Sequence, residues 1–262
     1  VMRHQFLPSG RVQYFPMCDY KGNGQFVSRT CGQQYGVKVN KKTIDATFLK
    51  TSVPSTHTPN FSIAEEARFM PLNDLPKVTT PPEGYTVIGG GKTGIDACLW
   101  LLEHKVDPDK IRWIMPRDAW LLDRQNTQAS EEFFADSVGA NALQMEAIIA
   151  AESIPDLFDR LEADGVLLRI DQNVRPEMFH GATISQLELA QLRRINNIVR
   201  LGRVQHIEKD KIVLEQGILP TGPNELHVDC SARAISNEEI KPIFQGDLIT
   251  PQTVRSYQPV FS

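Results

Sequence analysis

The chain has 262 residues, 41% of them hydrophobic and 23% charged, with a formal net charge of −4. That length can supply one large core or two modest ones. The acidic balance and the scattered Lys and Arg exclude the basic footprint of a nucleic-acid binder, and no apolar run nears the roughly 18 residues of a membrane span, so neither is an expected partner.

Four cysteines, Cys18, Cys31, Cys98 and Cys230, lie far apart without a C-x-x-C pair, so they predict buried thiols in a reducing compartment and no metal site. Val1 to Arg11 mixes Arg3, His4 and Gln5 with Pro8 and Gly10, unlike a signal peptide, and a cytoplasmic location is the expectation. Both termini, Val1 and Phe261-Ser262, look cut.

In chain order, Arg11 to Leu49 is β-like. Val12, Tyr14 and Phe15, then Gln25 to Val27, then Tyr35, Val37 and Val39 are separated by Gly22-Asn23-Gly24 and Gly32. Thr43 to Phe48 predicts one more strand, and the prolines from Pro54 to Pro82 predict a connector between domains. Tyr85 to Ile88 is a buried strand running into Gly89-Gly90-Gly91-Lys92-Thr93-Gly94. Ile95, Cys98, Leu99 and Leu102 then mark one face of a helix ending near Glu103, and Ile111 to Met115 is a second apolar strand. The whole has the size of a βαβ crossover. Helices are expected within Ala129 to Ala151, over Pro155 to Asp164 and over Ser185 to Ile195. Strands return at Ile198 to Leu201, Val204 to Ile207, Ile212 to Leu214 and Leu226 to Cys230. The fold class expected is α/β, a Rossmann-like three-layer nucleotide-binding domain beside a β-rich partial second domain. An internal echo links Ile44-Asp45-Ala46-Thr47 to Val228-Asp229-Cys230-Ser231, each following a hairpin series, although only the second series has a glycine-turn βαβ unit before it.

Gly89-x-Gly91-x-x-Gly94 satisfies G-x-G-x-x-G with a strand before it and a helix after it, the context that binds a dinucleotide pyrophosphate. Gly89 allows the tight turn, Gly91 lets the backbone approach the phosphates, and Gly94 lets helix and strand pack closely. The helix N-terminus adds unpaired N–H groups and partial positive charge. A P-loop would need its first glycine where Thr86 stands, which removes the ATPase reading and leaves Lys92 a solvent-facing turn residue. Near the end of the second strand come Arg117, Asp118 and Arg124. An arginine there accommodates the extra phosphate of NADP, whereas an acid binds the ribose of NAD. The order favours NADP(H), and Asp118 keeps NAD open. Asp96 is expected as a first-turn acid favourable to the helix dipole. His57, His104, His180, His206 and His227 have no catalytic or metal spacing, and no acid–base set is assigned.

Residues 85 to 96, Tyr-Thr-Val-Ile-Gly-Gly-Gly-Lys-Thr-Gly-Ile-Asp, resemble the second glycine motif of the two-dinucleotide-binding-domain flavoproteins, among them proteins similar to flavin-containing monooxygenases. The resemblance implies that this motif holds NADPH. It also implies that Ile44 to Thr47 and Val228 to Ser231 are the crossings out of and back into a flavin domain. The glycine motif that binds FAD in that family is absent here. The implied organisation is a flavin-domain remnant over 1–78, an NAD(P)-binding domain over 79–232 and a return segment over 233–262. A complete protein of this kind would pass hydride from NADPH to FAD and on to an unknown small-molecule substrate. A non-catalytic NADP(H)-binding module and a stand-alone NAD(P)-dependent dehydrogenase are the rival readings, and a homodimer stays open.

Overall fold

The computed structural model describes residues 1–48, 53–128, 130–232 and 241–252. Leu49, Ala129 and most of the return segment over 233–262 lie outside the described residues. The chain divides into two compact units, Val1–Lys50 with Asn237–Thr253, and Thr51–Ser236 with Val254–Ser262.

In the first unit β1 (Cys18–Gly22), β2 (Gln25–Ser28) and β3 (Gln34–Gly36) form an antiparallel meander. Asn23 at φ 50° and Gly24 at φ 74° make the left-handed turn between β1 and β2. Val12 to Phe15, expected as a strand, joins no ladder. Phe15 instead lays its ring on Phe26, with 5.2 Å between centroids, because an apolar alternation suits an extended arm as well as a paired strand. β4 (Thr43–Ile44) is only two residues long, since Asp45 turns the chain by accepting the Thr47 N–H at 2.9 Å.

The second unit carries β5 (Ser62–Ile63), β6 (Phe69–Pro71), β7 (Gly84–Ile88), α1 (Lys92–Glu103), β8 (Ile111–Ile114) and β9 (Ala119–Asp123). Then follow α2 (Phe134–Ala150), α3 (Ile154–Ala163), β10 (Leu167–Leu168), β11 (Met178–Ile184), α4 (Gln186–Leu192) and β12 (Asn197–Val199). The unit ends with β13 (Val204–Ile207), β14 (Lys211–Leu214), β15 (Gly217–Pro220) and β16 (Glu225–Asp229). Two further strands, β17 (Phe244–Gln245) and β18 (Leu248–Ile249), belong to the first unit, where β18 runs parallel to β4.

Five of these strands form one sheet in the order β12-β8-β7-β16-β6, and every neighbouring pair is parallel. The run β7, α1, β8 is therefore the crossover that its sequence predicts, because adjacent parallel strands need an intervening helix. Strand alternation sends Tyr85 and Val87 into a core with Ile95, Cys98 and Leu102 of α1 and Leu189 of α4. Ile88 and Ile114 enter another core with Ile207 of β13 and Ile212 of β14. The chain is a mixed α/β protein with several sheets.

The proline-rich stretch is more than a connector. β5 pairs with β13, and β6 pairs with β16, so residues 62–71 belong to the sheets of the second unit rather than to a segment ending at 78. Pro71 is tolerated because β6 is an edge strand, where a missing N–H breaks no inner ladder. Between β8 and β12 the sequence predicts the helices but not the small sheet β10-β9-β11, which packs Trp120 and Phe179 against Phe158 of α3.

Candidate functional site: a glycine turn between two parallel strands

The chain leaves β7 outward to β8 and later re-enters the sheet on β7's other side as β16, so the strand order reverses between β7 and β16. Crevices at the carboxyl ends of strands flanking such a reversal are where open α/β sheets bind ligands. Gly89 to Gly91 leaves the carboxyl end of β7 there, beside Cys230 and Ser231 at the end of β16.

The three motif glycines have different reasons to lack a side chain. Gly89 has φ +133°, and a Cβ on it would lie 2.4 Å from the Cys230 carbonyl oxygen. On Gly94 a Cβ would lie 2.0 Å from the Gly89 carbonyl oxygen. That same oxygen accepts a 2.8 Å hydrogen bond from Trp113 Nε1, so β8 pins the turn from below. These two positions fold the turn. Gly91, by contrast, has an ordinary φ of −87°, and its Cβ direction meets nothing within 4 Å. Its bare backbone faces open space at the start of a 12-residue helix that has no side-chain cap. The first N–H groups of α1 are thus left for an external acceptor.

Lys92 forms an ion pair with Asp96 one turn along α1. Asp96 lies beyond the first turn, which holds no acid, so it serves Lys92 and is not the expected N-terminal acid. Thr93 occupies the second helical position beside Gly94. A Cβ on Gly90 would meet Met115 Cγ at 2.7 Å and the Arg117 carbonyl oxygen at 3.2 Å, so residues 115–117 border the turn directly.

Arg117 is exposed, and among the described residues its guanidinium has no partner. It opens onto a cavity of about 410 Å³ lined also by Trp120, Phe158, Arg175 and Met178. Arg124, grouped with Arg117 by sequence, is engaged elsewhere: its guanidinium contacts Glu188 at 3.1 Å and the Thr183 carbonyl at 3.4 Å. Burial opposes ionisation of Glu188. The Ser185 backbone N–H and Arg124 outweigh it and hold the carboxyl below its usual range. Arg124 thereby braces the capping box of α4.

Asp118 is 5% exposed and accepts a two-pronged bond from Arg200, at 2.6 Å to Nε and 3.0 Å to Nη2. Sequence reasoning missed Arg200, since no spacing rule links residues 82 positions apart. It named Ser231 as part of the echo but not its contacts: the hydroxyl donates to Asp229 at 2.6 Å and lies 3.4 Å from His57 Nε2.

Of the cysteines, Cys98 and Cys230 are buried, as expected, but Cys18 is half-buried and Cys31 exposed. Desolvation pushes both buried thiols far above the usual cysteine range, so they are poor nucleophiles. Among the described residues no group of three His, Cys, Asp or Glu could hold a metal ion, and no helix is long and apolar enough to cross a membrane.

No family model matches the chain. It is 50% identical over 266 residues to the uncharacterized protein Rv2000 of Mycobacterium tuberculosis and, to the same degree, to the uncharacterized protein Mb2023 of Mycobacterium bovis. Those alignments cover 100% of this chain and 48% of each relative, so the chain spans about half the length of the curated relatives it matches. Among solved structures, the HOCl-induced flavoprotein disulfide reductase RclA from Escherichia coli superposes with a TM-score of 0.32 and 11% identity, covering 89% of this chain and 43% of that one. A superposition that loose carries no argument about fold or chemistry.

Proposed function

We propose that this chain is the NADPH-binding portion of an FAD-dependent oxidoreductase, with a Rossmann-like three-layer domain of helices, parallel sheet and antiparallel sheet around the glycine turn. The observation that carries the reading is the contrast within the motif. Gly89 and Gly94 are filled around by protein, whereas the space beside Gly91 is open at an uncapped helix start. That open space and the uncapped N–H groups suit the two linked phosphates of a dinucleotide. Arg117, unpartnered among the described residues and with its backbone next to the turn, suits the 2′-phosphate that distinguishes NADPH from NADH. Trp113 Nε1 donates to the Gly89 carbonyl and fixes the bend of the turn.

When bound, NADPH supplies a hydride from its nicotinamide ring, and this chain's part is to bind and orient it. FAD is a different matter. Among the described residues α1 is the one helix that starts from a G-x-G-x-x-G turn, so the chain's residues do not by themselves fit a second dinucleotide. We assign the flavin to the longer protein that relatives of twice the length represent, and derive no step through it.

Calorimetric titration of the purified chain with NADPH tests the reading. Gly91→Val places a branched side chain in the phosphate space and should weaken NADPH binding about tenfold or more. The fold should survive, because nothing lies within 4 Å of the new Cβ. Unchanged NADPH affinity in a folded Gly91→Val variant overturns the site.

A further inference from the structure

We infer that Arg200 sets the coenzyme preference of this site by sequestering Asp118, making it a positioning residue that acts through its neighbour. The inference rests on the dinucleotide reading above. Asp118 follows the carboxyl end of β8, within the stretch where NAD-selective sites carry the acid that binds the ribose hydroxyls. An accessible carboxylate there would accept from the 2′-hydroxyl of NADH and repel the 2′-phosphate of NADPH.

The protein has that acid and withdraws it. β12 runs parallel to β8 as its neighbour, and Arg200 follows β12 directly, so the two side chains come from adjacent strand ends. Both Asp118 oxygens are taken, at 2.6 and 3.0 Å, in the bidentate geometry only an arginine can make. Glu177 and Met178 N–H groups donate to the Asp118 carbonyl at 3.1 and 3.2 Å and fix the backbone. On the far side Asp171 contacts Arg200 at 3.3 Å and steadies the guanidinium. Among the described residues the guanidinium of Arg117, one residue earlier, is left unpaired, and its backbone carbonyl borders the turn. The outcome is an exposed cation next in sequence to a neutralised anion.

The experiment measures dissociation constants for NADPH and NADH with the wild-type chain, Arg200→Gln, Asp118→Asn and the double variant. Wild type should prefer NADPH. R200Q should shift the NADH-to-NADPH ratio of dissociation constants about tenfold or more toward NADH, because it frees an uncompensated carboxylate near the phosphate. Adding D118N to R200Q should restore the wild-type ratio to within about twofold, and D118N alone should leave it unchanged within the same margin. A role for Arg200 in stability alone would weaken both coenzymes equally and would not be rescued in the ratio by D118N. An unchanged ratio in R200Q overturns the inference, as does failure of D118N to rescue it, which would make Arg200 a direct phosphate ligand. Should R200Q not fold, D118N carries the test, since Arg200 keeps Asp171: a tenfold loss of NADPH preference there overturns the inference. A wild-type chain that binds neither coenzyme overturns the dinucleotide reading itself, and a wild-type preference for NADH overturns the inference while leaving that reading intact.

Discussion

Two segments of this chain make the same turn in different surroundings. At Asp45-Ala46-Thr47 and again at Asp229-Cys230-Ser231, the aspartate Oδ1 accepts the N–H of the residue two positions on at 2.9 Å and its hydroxyl at 2.6 Å. Each turn follows a strand with a parallel neighbour, β4 beside β18 and β16 beside β7. The echo seen in the sequence is thus a repeated hydrogen-bond pattern, a short polar side chain folding back on its own backbone. What differs is the neighbour. Asp229 is 1% exposed and its turn abuts Gly89, while Asp45 is half-buried. A local turn can be written in three residues. A candidate site needs a second element brought against it.

The comparison can be broken most severely at the element that sets the second region apart. Gly94→Ala drives a Cβ into the Gly89 carbonyl, with Trp113 close behind, so the backbone must move. We expect a loss of about 3 kcal/mol or more in urea unfolding, with coenzyme binding lost as well. Gly91→Val should lose binding alone, and the pair of variants separates the glycine that builds the turn from the one that receives a ligand.

A smaller effect is expected at the buried copy of the repeated turn. Asp229→Ala removes the acceptor for both the Ser231 N–H and hydroxyl, at a cost of about 2 kcal/mol in the same measurement. The smallest belongs to the less buried copy. The Thr47 hydroxyl first, and then its N–H, hold the Asp45 carboxyl below its ordinary range, with burial opposing slightly and Lys241 assisting. The folded chain therefore releases this proton more readily than the unfolded chain does. Its contribution is complete above the unfolded pKa of about 3.9 and fades as pH falls through the lower folded value. Asp45→Asn should lose that part of the acid dependence. A wild-type and a variant urea midpoint with identical slopes between about pH 5 and pH 3 would show that the turn contributes nothing there.

Much of the second unit was readable from the chain because its signals are short-range. The βαβ run from Gly84 to Ile114, the helices α3 and α4 and the hairpin strands β13 and β14 each lie within a few residues of their sequence expectation. Periodicity, a glycine turn or the Ser185–Glu188 capping box fixes each locally. The two-residue strands β5, β10, β17 and β18 left no such trace, and β4 is the start of the longer strand expected over Thr43 to Phe48, since a strand that short is defined by its partner and not by its own pattern.

The amino-acid order by itself determined that a strand would end in a glycine bend opening onto a helix, since backbone conformations forbidden to side chains and apolar spacing are properties of neighbours along the chain. Only the tertiary structure decided what each charge that follows the second strand would meet. Among the described residues Arg117 was left free, Arg124 was drawn to Glu188 64 positions away, and Asp118 was enclosed by Arg200 82 positions away. Charge pairing is set by distance in space, and three charged residues that look equivalent in a row acquire different roles when the sheet places their partners.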